Sequence, residues 1–278
     1  MFINLSLRPV KAKLFVIIII TALISGCSEY QRVLKSTDLN LKLKKANEYF
    51  EKENYYKALP LYEELVSIYR GTSRAEQVYY KYAYCEYYLL DLYLASYRFE
   101  NFTKTFPNSE YLEECTFMAA YCDYLMSPKP SLEQSSTYDA IRKLQLITEQ
   151  FPNSTYADSS EALLDELRIK LEQKAFDNAY LYYKTEYYES ASVSFKNVLK
   201  RFPDTDFREE ILFSIVKSNY KLAVNSVESK KEERFKNTIE AYIKFADSFP
   251  ESEFLSRAEE FYEEAQKSLE EIKKKNQS

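Results

Sequence analysis

The sequence predicts an all-α fold: an elongated α-solenoid of about five helix pairs, closed by a C-terminal capping helix. Three observations predict it. A four-residue corner phrase recurs four times, small and large apolar residues stand at fixed offsets before each copy, and glycine is almost absent, with two in 278 residues. The recurrence outranks composition, because a fixed period is the mark of a stacked-repeat architecture.

The corner phrase is Phe106-Pro107-Asn108-Ser109, Phe151-Pro152-Asn153-Ser154, Phe202-Pro203-Asp204-Thr205 and Phe249-Pro250-Glu251-Ser252, with a degenerate first copy at Tyr69-Arg70-Gly71-Thr72. An aromatic follows two residues after each full copy, at Tyr111, Tyr156, Phe207 and Phe254. Proline pushes the residue before it out of the α region and so ends a helix. The Asn/Asp and Ser/Thr that follow are turn and N-cap residues that open the next one.

Twelve residues before each proline (Arg70 in the first copy) stand Ala58, Ala95, Ala140, Ala191 and Thr238. Eight before stand Tyr62, Phe99, Leu144, Phe195 and Tyr242, and five before stand Leu65, Phe102, Ile147, Val198 and Phe245. Small, large and apolar at those spacings describe one face of a helix packed closely on a neighbour. Ala46, Ala83 and Ala179 repeat the small residue on the preceding helix. The expected pairs are therefore 38–70, 73–106, 109–151 (with a linker at Ser127–Ser136 that holds Pro128 and Pro130), 154–202 with an extended first helix, and 205–249 with a charged linker at Glu228–Glu233. A terminal helix from Glu253 to about Lys275 would cover the apolar face that an end repeat exposes.

Residues 1–26 differ in kind. Arg8, Lys11 and Lys13 precede the apolar stretch Leu14–Ile24, which has the character of a secretory leader and falls short of the roughly 20 residues that span a bilayer. Its ending, Leu23-Ile24-Ser25-Gly26-Cys27, resembles the lipobox of bacterial lipoproteins. The resemblance implies cleavage before Cys27, lipidation of that residue, and a tether over 27–37. Ser28 in the second position favours, by the enterobacterial sorting pattern, the outer membrane. A triacyl group meets the requirement for more than one chain in a stable anchor.

Loss of the leader with its three basic residues leaves 35 Lys and Arg against 43 Asp and Glu, a net charge of −8. Nucleic acid is not an expected partner of such an acidic, evenly mixed chain. There is no His, so His-based acid/base catalysis, His metal ligands and Ser–His nucleophiles are excluded. After the leader Gly71 is the single glycine, which removes glycine-rich phosphate loops and argues against tight β-hairpins. Carboxylate pairs such as Glu63-Glu64, Glu113-Glu114 and Glu209-Glu210 read as solvated helix faces. No catalytic residue, metal or cofactor is expected; the chain reads as a scaffold, not an enzyme.

Small residue and Tyr on the first helix, Ala and aromatic on the second, and Pro at the end resemble the tetratricopeptide pattern from residue 38 to about 270. Lipobox, short spacer, five such pairs and the recurring corners together resemble the tetratricopeptide lipoproteins of the outer-membrane β-barrel assembly machinery, the BamD family. That resemblance implies a lipid-anchored scaffold on the periplasmic face of the outer membrane. It would hold the barrel-forming, BamA-like subunit and other complex lipoproteins, and receive the C-terminal segments of unfolded outer-membrane proteins. Residues 38–151 would be the substrate-recognition half, and 152–278 the partner-docking half. Two other readings share features of the sequence: a tetratricopeptide lipoprotein of pilus assembly or envelope division, and a glycan-binding nutrient lipoprotein, whose Trp-rich inserts this chain lacks.

Candidate sites follow from the first helix of each pair, whose residues line the concave face in a tetratricopeptide stack. Asn47, Phe50, Tyr80, Tyr84, Tyr87, Phe117, Tyr121 and Tyr124, with Leu43 and Tyr88 beside them, form an aromatic ladder suited to an extended peptide. Inter-repeat core packing is the competing role for each ring. Leu43 and Glu114 stand where the carboxylate-clamp subtype carries Lys, so a chaperone-tail clamp is not expected. Arg201, Arg208, Lys217 and Lys221 are exposed basic residues expected, by family analogy, to dock the barrel subunit. Cys85, Cys115 and Cys122 read as small buried hydrophobes, because the expected helix spacings exceed disulfide reach.

Overall fold

The computed structural model describes residues 29–276, and among them every regular element is a helix. The leader and Cys27 lie outside the described residues. After a helical stretch at 29–34, the pairs are α1 (Leu39–Glu51) with α2 (Tyr55–Ile68), α3 (Ala75–Tyr88) with α4 (Leu92–Thr105), and α5 (Leu112–Met126) with α6 (Ser135–Gln150). Then come α7 (Thr155–Lys184) with α8 (Tyr188–Arg201), α9 (Arg208–Val224) with α10 (Glu228–Ser248), and the terminal α11 (Leu255–Asn276).

Two compact units result. The first contains the described residues up to Ser127 together with Ser135–Leu164; the second contains Pro128–Gln134 and the residues from Asp165 onward. In the first unit each helix from α1 to α6 packs on the next. In the second, α8 packs on α9, α9 on α10 and α10 on α11, while α11 also reaches α9.

The periodic positions form the core of both units. Ala46, Ala58, Ala83, Ala95, Ala140, Ala179, Ala191 and Thr238 are all 0% exposed, which lets paired helices approach closely. Tyr62, Phe99, Leu144, Phe195, Leu65, Phe102, Ile147 and Phe245 fill the space beside them, also fully buried. Each such side chain contributes about 1.5–3 kcal/mol of burial. Tyr242 departs from the pattern: it is half-buried and stacks on Tyr262 of α11, with centroids 4.5 Å apart. The cap makes two further stacks, Phe254 on Phe213 at 4.9 Å and Phe261 on Tyr220 at 4.8 Å, and buries Ala258, Ala265 and Leu269.

The corner phrases act as caps. In each the Ser or Thr backbone N–H donates to the carbonyl of the Phe three residues back, at 3.1 Å (Ser109), 3.0 Å (Ser154), 3.3 Å (Thr205) and 3.2 Å (Ser252). Its hydroxyl accepts from the N–H of the aromatic two residues on: Tyr111, Tyr156, Phe207 and Phe254. Thr72 repeats both bonds in the degenerate copy, with Tyr69 and Arg74. One short phrase thus satisfies backbone groups that a helix end leaves orphaned.

Turns within pairs close differently. Glu53, Leu90 and Glu186 take left-handed φ of 55°, 62° and 65°. The next residue's N–H then reaches back five residues: Asn54 to Tyr49, Asp91 to Glu86 and Tyr187 to Tyr182. This is the Schellman closure, made here without the usual glycine.

Two linkers have different outcomes. The segment between α5 and α6 is non-helical through Gln134. Within the second unit Gln134 Nε2 donates to the carbonyls of Lys129 (2.8 Å) and Leu132 (3.0 Å), and Lys174 Nζ of α7 donates to those of Pro130 (2.9 Å) and Leu132 (2.7 Å). By contrast, the charged run at Glu228–Glu233, expected as a linker, is the first turns of α10. Charges three or four apart share a helix face, and here they pair: Lys231 with Glu228 and Lys236 with Glu232, both at 2.7 Å.

Candidate functional site

In the first unit the leading helices of three pairs, α1, α3 and α5, are joined by polar contacts. Asn47 Oδ1 accepts from the Tyr62 hydroxyl at 2.8 Å and from Lys81 Nζ at 3.0 Å. Lys81 also meets Glu51 at 3.1 Å and sits 5.1 Å from the centre of the Phe50 ring. One repeat along, Glu114 Oε1 accepts from the phenols of Tyr80 (2.8 Å) and Tyr84. A single carboxylate oxygen therefore ties α5 to two turns of α3.

The rings lie between and over these anchors. Phe50 contacts Tyr55, Tyr62 and Tyr88 edge-on at 5.5–6.4 Å, and Tyr55 stacks on Tyr88 at 4.4 Å. Tyr84 packs edge-on against Phe99 at 5.0 Å and lies 5.7 Å from Tyr88. On α5, Phe117, Tyr121 and Tyr124 stack in series at 5.7 and 5.8 Å, and Tyr156 of α7 covers the other side of Phe117 at 5.1 Å.

The ladder thus sorts into two layers. Tyr84 is 9% exposed and its hydroxyl is engaged by Glu114, so it packs repeats together. Burial first, then the Glu114 carboxylate, push the phenol pKa of Tyr84 and of Tyr80 well above the ordinary value. Asn47, Phe50, Tyr87, Phe117, Tyr121 and Tyr124 are half-buried, and Tyr88 is 46% exposed. Burial, then the Tyr121 phenol, raises the phenol pKa of Tyr87. The role of Glu114 as a shared acceptor had no sequence signal, since it arises from neighbours 30 and 34 residues away.

Cys85, Cys115 and Cys122 are free thiols at 0% exposure, and burial pushes all three upward in pKa, Cys85 and Cys122 to about 12.

In the second unit the four basic residues scatter. Arg201 is exposed, its guanidinium 5.1 Å from the Phe202 ring, and Arg208 donates to the Pro203 carbonyl at 3.0 Å. Arg208 also lines a cleft of about 530 Å³ between α8, α9 and α10, with Lys196, Lys200 and Lys244 at its rim and Leu199 and Leu212 inside. Lys221 is half-buried on α9. Lys217 is half-buried too, with rings about its head: its Nζ lies 4.4 Å from the Tyr183 ring, 5.3 Å from Phe213 and 5.4 Å from Tyr180. Burial and then the nearby Arg257 hold its ammonium pKa below the usual value. Lys217 and Lys221 stand four positions apart on one helix, and the Tyr180 and Tyr183 rings of α7 meet the first.

Among the described residues no helix is long and apolar enough to cross a membrane. Residues 40–235 match the family described as "YfiO: Outer membrane lipoprotein". The outer membrane protein assembly factor BamD of Pasteurella multocida (strain Pm70) is 23% identical over 241 residues, 79% of this chain and 88% of that protein. The factor of the same name from Haemophilus influenzae (strain ATCC 51907 / DSM 11121 / KW20 / Rd) is 20% identical over 240 residues, 78% of this chain and 87% of that one. Among solved structures, a TPR repeats protein from Bacteroides fragilis NCTC 9343 is similar at 13% identity and a TM-score of 0.38, over 84% of this chain and 100% of that one. With the family match spanning most of its length, this chain belongs to the YfiO family of outer membrane lipoproteins, the BamD type.

Proposed function

We propose that this chain is a periplasm-facing scaffold of the β-barrel assembly complex, held on the outer membrane by acyl chains on Cys27. It binds the barrel-forming subunit and presents a surface to unfolded outer-membrane proteins, and it does no chemistry of its own. Residues 38–151 take the substrate segment; residues 152–278 dock the partner.

The observation that carries this reading is the half-exposed ring face of α3 and α5. Tyr87, Tyr88, Tyr121 and Tyr124 offer aromatic area backed by a packed layer at Tyr84, Phe99 and Cys122. Rings held from behind lose little freedom on contact, so an extended apolar peptide gains area at low entropic cost. In the second unit Arg208 and Arg201, with the rim lysines of the adjoining cleft, supply a basic surface for an acidic partner.

Two measurements test the proposal. Pull-down from envelopes solubilised in mild detergent should recover a large barrel protein with periplasmic repeat domains; recovery of pilin or division proteins instead would redirect the assignment. Tyr121→Ala with Tyr124→Ala should weaken binding of a peptide from the C-terminus of an outer-membrane barrel. Equal affinity in a folded double variant removes the groove.

A further inference from the structure

Exposed aromatic residues in the first unit follow the repeat. Tyr56, Tyr93 and Tyr138 each stand two residues before the buried alanine of the second helix of a pair, on the first turn of α2, α4 and α6. They are 77%, 74% and 45% exposed. The same register in the second unit holds Glu189 and Lys236. The row therefore belongs to the unit that carries the N-terminus. The turn between α3 and α4 adds Leu90, 77% exposed and held at left-handed φ.

The start of the described chain packs on the second half of α1, where Glu29 pairs with Lys45 at 3.0 Å. Tyr30 packs edge-on against Tyr49 near the end of α1, at 5.8 Å, and Lys57 Nζ lies 5.7 and 5.6 Å from the two ring centres. Burial, then the phenols of Tyr49 and Tyr56, push the Tyr30 phenol pKa up. The Tyr55–Tyr88 stack joins the turn end of α2 to that of α3, next to Leu90. Cys27 precedes Glu29 by two residues, and covalent geometry limits such a span to about 7 Å.

We propose that this turn edge of the first unit rests on the bilayer, with Tyr56, Leu90 and Tyr93 seated in the headgroup zone of the leaflet that holds the acyl chains on Cys27. The proposal builds on the reading of Cys27 as the acylated residue. A span that short keeps the second half of α1, and the turns beside it, close to the leaflet. Tyrosine suits the interface because its ring enters the apolar boundary while its hydroxyl stays hydrated. Lys52 and Lys57 on this edge are offset by Glu53 and Asp91, so the rings and Leu90, rather than attraction to anionic lipid, supply the contact.

The chain has no Trp, so Tyr56→Trp and Tyr93→Trp each create a single reporter at an exposed position. Ile68→Trp does the same at the opposite end of α2, within the same unit and 43% exposed. Each full chain is expressed with its own leader, purified from membranes and reconstituted into phosphatidylcholine–phosphatidylglycerol vesicles with dibrominated acyl chains. Emission at positions 56 and 93 should shift to the blue and be lost to bromine quenching, while position 68 stays solvent-like and bright. Mass analysis of residue 27 in the same samples separates the two claims. An unacylated Cys27 overturns the anchor and the edge together. An acylated, vesicle-bound protein whose reporters at 56 and 93 remain unquenched overturns the edge alone, as does equal quenching at 68. A blue shift seen only in the intact assembly complex assigns the edge to a protein neighbour and likewise overturns the proposal.

Discussion

Replacing Tyr84 separates support from contact in the aromatic face. Its ring is 9% exposed, packs against Phe99 at 5.0 Å, and its hydroxyl donates to Glu114. Truncation of a buried aromatic to alanine costs about 3–5 kcal/mol, from lost transfer energy and the cavity left behind. A hydrogen bond to a charged acceptor contributes about 1.5–3 kcal/mol. Glu114 keeps the Tyr80 phenol at 2.8 Å in either variant, so Tyr84→Phe should fall at the low end, about 1.5 kcal/mol. Tyr84→Ala should lose both contributions. Urea unfolding followed by far-ultraviolet circular dichroism measures the two losses, and titration with a barrel-derived C-terminal peptide follows binding in parallel. Tyr84→Phe should destabilise without changing peptide affinity. Glu114→Ala combined with Tyr84→Phe should cost less than the two single changes added, because both remove one bond. A loss below about 1 kcal/mol for Tyr84→Ala would refute the reasoning, since no packed ring yields so little.

Other outcomes follow from the same contacts. Burial raises the phenols of Tyr62, Tyr80 and Tyr84, and pushes Tyr82 up to about 12. The folded chain therefore binds more protons than the unfolded chain above pH 10, so stability should fall as pH rises beyond that value; phenolate absorbance should show these tyrosines ionising only with unfolding. Cys85, Cys115 and Cys122 should not react with a thiol reagent in the native protein and should all react in denaturant, a count that a colorimetric assay reads directly. Glu86 is 5% exposed, and burial, then the Asp91 charge, raise its carboxyl pKa. Stability therefore falls as pH rises from the ordinary carboxylate value through the raised one and stays lower above it, so Glu86→Gln should raise the melting midpoint at pH 7, with the gain shrinking as pH falls toward the ordinary carboxylate range.

The repeat made most of the fold legible. Corner phrases located the ends of α2, α4, α6, α8 and α10 to within a residue or two, because proline and hydroxyl caps act locally and leave their mark at fixed offsets. The alanine row anticipated the fully buried positions for the same reason. The charged run at 228–233 misled because it resembles a solvated loop in composition, while its pairing depends on helical geometry. The candidate site was legible as a set of rings, not as a set of roles. Periodicity places Tyr84 and Tyr88 on one helix end, yet cannot say that one is sealed by Phe99 and Glu114 while the other keeps nearly half its surface.

By itself the sequence determined the helical class, the number of pairs, the corner chemistry and the small residues at every close crossing, since each depends on residues within one or two turns of one another. Only the tertiary structure decided which tyrosines hold the repeats together, that rings of α7 meet Lys217, and that Tyr56 and Tyr93 stay exposed. Those outcomes depend on which side chains of different helices meet, and exposure is a property of the neighbours rather than of the residue.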